Sequence, residues 1–354
     1  MKASLFGYRL RSQLLAGAGA PDGATAVGHL GAVQSQLHDM SLWALSGRTG
    51  LTRADLAAEF DAGAFVRTHV LRPTWHHVLA ADLPDLLELT ADRVRRSLDT
   101  GARTADLPAA DRLKAADVAV EAVRTDGPLT RTQVQDRLVG EGLAGPGGRW
   151  GTVPLAFVLM EAELRGAIGS GPMRGRQHTY QALDLQPSGR TADERLAWLA
   201  RTYVRGHGPA RPEDLAWWAT RPITVARRAF ALAELRPVTV AGVDLFTDAD
   251  GAAAPEPAEV PAAMLLANFD ELVSYRRDPG DWGPHATDAV LRAQGLLLVD
   301  GALAGLWTRT ESAGGVVVKV ATPVPVTRRV RAALEAEAER YGRFVGLPAE
   351  LVLA

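Results

Sequence analysis

The chain has 354 residues, 47% of them apolar and 23% charged, with a formal net charge of −2 and no cysteine. No apolar run approaches the roughly 18 residues that span a bilayer, and Met1 to Arg9 lacks the apolar stretch of an export signal, so a cytoplasmic location is the expectation. The missing cysteines exclude disulfides, thiolate metal centres and cysteine nucleophiles, and the length calls for two to four sub-domains around sizeable cores.

In chain order, residues 22 to 46 read as one helix, with Val27, Leu30, Val33, Leu37 and Met40 at three- and four-residue steps. A second helix follows at 53–62. Residues 64–71 and 74–80 alternate well enough for a hairpin turning at Arg72-Pro73, and 82–98 form another helix before a Gly- and Ala-rich linker near 100–110. Helices are expected at 114–125, 130–139 and 150–164, then a hairpin around the arginine-bearing turn Gly171 to Arg176. A third run places helices at 191–206, 212–219 and 222–234 and strands at 236–241 and 243–247. After an Ala- and Pro-rich break at 250–260, strands at 262–266, 295–299, 305–310 and 315–320 suggest a small antiparallel sheet or barrel, closed by a helix at 327–343 whose basic start calls for a nearby anion.

Three turns share a cadence: Gly50 to Leu56, Gly127 to Val134 and Gly208 to Leu215. In each, glycine ends one helix, Thr or Pro opens the next, and acidic or amide groups sit in the first turn. These read as three helix-turn-helix units with hairpin wings. The expected division is 1–105, 106–188 and 189–255 for the units and 256–354 for the C-terminal sheet or barrel, an α+β fold suited to following a nucleic-acid duplex. The net charge argues against this mildly, because phosphate binding needs concentrated positive charge. Yet all but Lys2, Lys114 and Lys319 of the 39 basic residues are arginine, many of them clustered, and guanidinium forks suit phosphates and grooves. A coding bias towards Arg and Ala accounts for part of that excess.

The most distinctive polar group is Gln34-Ser35-Gln36, set in the first predicted helix. There Gln34 and His38 would share a face, whereas Gln34 and Gln36 would point roughly 200° apart. The eight histidines show no ligand spacing: His76 and His77 are adjacent on a predicted strand and would face opposite ways, so no metal is expected. Trp43 and Trp75 are expected in the core, as is one ring of Trp217-Trp218. Asp270 is expected to pair with Arg276 or Arg277.

Gln34-Ser35-Gln36, Leu71 to His76, Pro209 to Trp218, Leu266 to Glu271, and Val299-Asp300-Gly301 with Gly305-Leu306-Trp307 together resemble the AlkZ/YcaQ family of winged-helix DNA glycosylases over nearly the whole chain. Gln36 is similar to the AlkZ-like branch, because the other branch carries Asp at that position. The resemblance implies a C-shaped molecule with a concave face for double-stranded DNA. It implies hydrolysis of the N-glycosidic bond of N7-alkylated purines, including bulky natural-product guanine adducts and interstrand crosslinks, in antibiotic self-resistance. Gln34 and Gln36 map onto its catalytic pair and no cofactor is implied. A purine alkylated at N7 is already cationic, so it leaves without a strong acid, and amide oxygens that orient water near C1′ suit the oxocarbenium-like charge that develops. Scarce lysine argues for a monofunctional enzyme, although the α-amine of Met1 is a further amine, and a crosslinked base calls for an open cleft.

Arg72, Thr74 and His76 are expected at the DNA backbone beside the lesion, and Arg174 and Arg176 in a groove; the alternative is that they shape turns and pack. A monomer is expected, since three tandem units span a site unaided. The competing functions are a non-catalytic winged-helix DNA-binding protein or regulator, and a fold recruited to sequester a drug.

Overall fold

The computed structural model describes residues 3–143, 151–248, 256–273 and 294–354. The helix expected over 22–46 is two helices, α1 having already spanned Ala3–Ser12. Helix α2 (Gly23–Leu30) opens on Asp22, whose carboxylate accepts from the Thr25 backbone at 2.6 Å, and ends at Gly31 with φ +79°. A β-carbon at Gly31 would lie 2.6 Å from the Thr202 methyl group, so the chain turns tightly there. Strand β1 (Val33–Gln34) follows, then α3 (His38–Thr49), α4 (Arg53–Asp61), β2 (Val66–His69) and β3 (Trp75–Val78). Thr52 and Asp55 form a reciprocal cap at the start of α4.

The same string recurs. After α5 (Leu83–Thr104), which runs into the first half of the expected linker, come α6 (Ala109–Asp126), β4 (Leu129–Thr130), α7 (Arg131–Gly140), α8 (Thr152–Leu164), β5 (Ile168–Arg174) and β6 (Gln177–Ala182). The third copy is α9 (Ala192–His207), a single bridge at Ala210, α10 (Pro212–Trp218), α11 (Ile223–Leu232), β7 (Arg236–Val240) and β8 (Val243–Thr247). In each copy the short first strand or bridge pairs antiparallel with the last strand: Gln34 opposite His76, Thr130 opposite Thr179, Ala210 opposite Phe246. The cadence found in the sequence is therefore out of phase in its first instance. Gly31 to His38 occupies the slot of Gly127 to Val134 and Gly208 to Leu215, whereas Gly50 to Leu56 is the next turn along.

The two hairpins expected as separate wings are joined. Arg67 of β2 pairs with Ser170 of β5, giving one six-stranded sheet in the order β1-β3-β2-β5-β6-β4. Towards the C-terminus, β9 (Ala263–Leu266), a 3-10 turn at Glu271–Val273, β10 (Gly295–Val299), β11 (Ala302–Ser312), β12 (Gly315–Ala321), α12 (Arg328–Val345) and β13 (Ala349–Leu353) complete the described chain. These strands form an open sheet ordered β13-β12-β11-β10-β9, not a barrel. It is not wholly antiparallel, because β13, which the sequence reading did not foresee, runs parallel to β12. Helix α12 begins on the Thr327 cap, and Arg329 in its first turn meets Asp300 at 2.5 Å, the anion that its basic start required.

Two apolar cores decide where the site sits. One unites α2 to α4 with the C-terminal sheet and α12, with Trp43 buried against Trp307, Tyr341 and Phe344. The other unites β3 and α5 with α9 to α11 around Tyr203 and Trp218. The segment carrying Gln34 therefore runs between the first unit, the third unit and the C-terminal region.

Candidate functional site

Because Gly31 ends α2, Gln34-Ser35-Gln36 is not helical, which corrects the expected geometry: Gln34 ends β1 and the chain bends at Gln36 before α3. The Ser35 N–H donates to the Trp75 carbonyl at 2.8 Å and the Ser35 carbonyl accepts from Arg67 Nε at 3.0 Å. Gln34 is half-buried, Ser35 buried and Gln36 exposed. The pairing of Gln34 with His38 on a helix face is lost.

Gln34 is held at both ends. Its backbone N–H donates to Glu271 Oε1 at 2.9 Å, and its side-chain Oε1 accepts from Arg72 Nη2 at 3.0 Å. That guanidinium nitrogen also lies 3.3 Å from His76 Nε2, while His76 Nδ1 is 2.9 Å from the Thr74 carbonyl. A proton on Nδ1, given to that carbonyl, leaves Nε2 free to accept from Arg72. Burial, reinforced by the Arg72 charge, lowers the His76 pKa to about 3, so the ring is neutral. Arg72 also lies over the Trp217 ring, 5.5 Å from its centroid.

Glu271 is the junction of the network. Its Oε2 accepts from His207 Nε2 at 3.2 Å and Trp218 Nε1 at 3.1 Å, both from the third unit. Burial pushes its pKa up, but the hydrogen bond from His207 and the electrostatic pull of His207 and Arg72 prevail and hold it at about 2. An ionised carboxylate is thus enclosed by donors from three parts of the chain. The sequence singles out Asp270 in this segment and Trp218 only as a core ring, and gives no role to Glu271 or His207; the available signal was a carboxylate pair flanked by apolar residues, Phe269 and Leu272.

The remaining expected residues lie elsewhere or face differently. His76 is fully buried and Arg72 turns inward, whereas Thr74 is half-buried at the β2–β3 turn. Arg174 and Arg176 are exposed at the β5–β6 turn; Arg174 donates to Gln133 Oε1 at 3.0 Å and to the Pro128 carbonyl at 2.7 Å. Asp270 pairs with Arg48 through both oxygens, at 2.8 and 3.1 Å, in a correction of the expected partner; Arg276 and Arg277 lie outside the described residues. Trp43 and Trp218 are core residues as expected, but Trp75 is half-buried, with Arg67 4.5 Å above its ring. On β3, His77 faces away from His76, towards Ser41 Oγ at 2.9 Å. Among the described residues no three His, Asp or Glu side chains are placed to hold a metal ion, and no helix is long and apolar enough to cross a membrane.

The sequence model of the AlkZ-like DNA glycosylases matches residues 27–344, which takes in the Gln34 segment, the Glu271 turn and all three repeats. The chain belongs to the AlkZ-like DNA glycosylase family. DNA is thus the substrate of this AlkZ-like chain, and cleavage of a base from its sugar is the reaction. Its fold matches that of Streptomyces sahachiroi DNA glycosylase AlkZ with a TM-score of 0.76, covering 99% of both chains at 23% identity. Among curated proteins no sequence matches the chain.

Proposed function

We propose that this AlkZ-like chain hydrolyses the N-glycosidic bond of N7-alkylated purines, including bulky natural-product guanine adducts and interstrand crosslinks, with Gln34 and Gln36 as the residues that position water. The observation that supports the reading is that the Gln34-Ser35-Gln36 segment lies outside any helix, with the Gln34 carboxamide anchored by Arg72 and Gln36 exposed. In the reaction the C1′–N9 bond breaks and its electron pair passes to N9, so the cationic 7-alkylguanine leaves neutral. Water oriented by the amide oxygens adds to C1′ and loses its proton to solvent, giving an abasic sugar. The amide dipoles favour the positive charge that grows on the sugar before water adds.

Lys114 and Lys319 are exposed on α6 and β12, elements that contribute nothing to the Gln34 network, which supports a monofunctional hydrolase without a lysine Schiff base. The three α-β-α-α-β-β repeats are read as winged helix-turn-helix units presenting a concave face to double-stranded DNA. Thr74, Arg174 and Arg176 are the proposed DNA contacts, and the protein acts as a monomer in self-protection against a DNA-alkylating antibiotic.

The test uses a duplex carrying one N7-alkylguanine. Wild type should release the base and leave an abasic site; Gln34→Ala and Gln36→Ala should bind the duplex and lose excision. Binding without excision from any N7-alkylated duplex would make the protein a DNA-binding module. Binding of a free alkylating drug, with no release of its adduct, would make it a sequestering protein.

A further inference from the structure

We infer that Arg72 is a positioning residue for Gln34 and not a contact to the DNA backbone, acting with Glu271 as a two-point clamp that fixes both the main chain and the carboxamide of Gln34. The inference rests on the proposed role of Gln34. A glutamine side chain has three rotatable bonds, and its amide can present oxygen or nitrogen to the same side, so an unrestrained Gln34 would orient water in only a fraction of its conformers. Arg72 removes the ambiguity. A guanidinium has donors and no acceptor, so the group facing Nη2 at 3.0 Å must be the amide oxygen.

The second hydrogen on Nη2 is engaged as well. It faces His76 Nε2 at 3.3 Å, and the bond from His76 Nδ1 to the Thr74 carbonyl keeps Nε2 unprotonated and able to accept. Glu271 then does two things. It receives the Gln34 N–H at 2.9 Å, fixing the backbone from which the side chain springs, and it supplies the negative charge that offsets half-buried Arg72. The bound oxygen keeps a second lone pair for water, and the Arg72 hydrogen bond fixes where that lone pair points. A phosphate would have to displace Arg72 from Gln34, His76 and the face of Trp217.

The experiment separates rate from affinity. In Arg72→Lys and Arg72→Met, single-turnover excision of an N7-alkylguanine at saturating enzyme should fall on the order of 10²-fold, the scale of a misplaced reacting group. The Kd for the same duplex and its salt dependence should stay at wild-type values. An unchanged rate in both variants, with weaker binding and, in Arg72→Met, a salt slope reduced by about 0.9, would make Arg72 a phosphate contact and overturn the inference. The lysine variant retains the charge and keeps the test informative if Arg72→Met does not fold.

A second readout needs no chemistry. In protein labelled with ¹⁵N-glutamine, the Gln34 side-chain NH₂ signals, assigned by their loss in Gln34→Leu, should shift in Arg72→Lys; signals that stay in place would refute the clamp. If wild type excises nothing, the proposed function fails, while these signals still decide whether the clamp exists.

Discussion

Three donors from separate segments converge on the Glu271 carboxylate, and its acidity has a consequence for stability. Its folded pKa of about 2 lies below the ordinary value of 4.5, so it stabilises the fold above pH 4.5 and loses that contribution as pH falls towards 2, on the order of 3 kcal/mol in all. Buried His76, lowered to about 3, and His77, held well below 6.5 by burial and by the neighbouring charge of His38, act in a higher window. Both are neutral when folded and protonate in the unfolded chain below pH 6.5. His38 and His178, lowered by burial to about 4 and about 3, add to the same loss, so stability should be full above that pH and fall by at least about 3 kcal/mol per pH unit between pH 6 and 5. Urea denaturation at pH 7.5, 6 and 5 measures this, and equal midpoints would show these rings to be charged in the fold. Arg48 and Asp270 are 0% and 2% exposed, with Gln13 Oε1 accepting from Arg48 at 2.6 Å. Arg48→Ala strands a buried carboxylate and should cost about 3–5 kcal/mol, whereas Arg48→Met with Asp270→Leu should recover most of it; a double variant as unstable as the single would contradict that account. At this scale the sequence made the glutamine pair visible, because two amides in an apolar stretch demand partners. It hid Glu271, which receives the Gln34 N–H, and His207 behind it, since no local pattern encodes which distant donor meets which acceptor.

Among the elements, Gly31 decides the geometry of the site. A stripe of Val27, Leu30 and Val33 continues smoothly through it, which is why a single helix over 22–46 was the natural reading; the same apolar residues serve a helix and then a buried strand. Gly31→Ala would combine a left-handed backbone with a 2.6 Å approach to Thr202 and should destabilise by about 2–4 kcal/mol. Adding Thr202→Ala should return the steric part, and thermal or urea denaturation of both variants gives the comparison; an unaffected Gly31→Ala would mean that the turn tolerates a side chain. The third repeat was read almost residue for residue, because its helices open on Thr191 and Pro212, signals that act within a few residues. Strand β13 was missed because its pairing with β12 depends on α12 carrying the chain back. At the β5–β6 turn the two proposed DNA contacts differ. Arg174 already donates to Gln133 and Pro128, whereas Arg176 has no hydrogen bond or ion pair among the described residues. Arg176→Ala should thus lower the salt slope of duplex binding by about 0.9, and Arg174→Ala by less; the reverse order in a salt titration would reassign the contact.

In the whole molecule the N-terminal unit does not own its core. Trp43 lies 5.0 Å from the Tyr341 ring and 5.3 Å from Phe344, and its Nε1 donates to the Leu265 carbonyl at 2.9 Å. The helices around Gln34 and the C-terminal sheet should therefore unfold together. Trp43→Ala should cost about 3–5 kcal/mol and speed hydrogen exchange equally in α3 and in β9 to β11; faster exchange confined to α3 would show the two regions to be independent. The repeat was legible in part, through its turn chemistry, but the phase of the first copy was not, because Gly31 to His38 has neither the Gly-Pro of its two counterparts nor the threonine cap of Gly127 to Val134. The reach of Glu271 also bears on synthesis. A growing chain presents both glutamines within its first forty residues, yet the carboxylate that receives the Gln34 amide is translated only in the final quarter. On the proposed reading, a half-made chain on a ribosome holds both glutamines and Arg72 without Glu271, so the clamp closes only once the distal end is made.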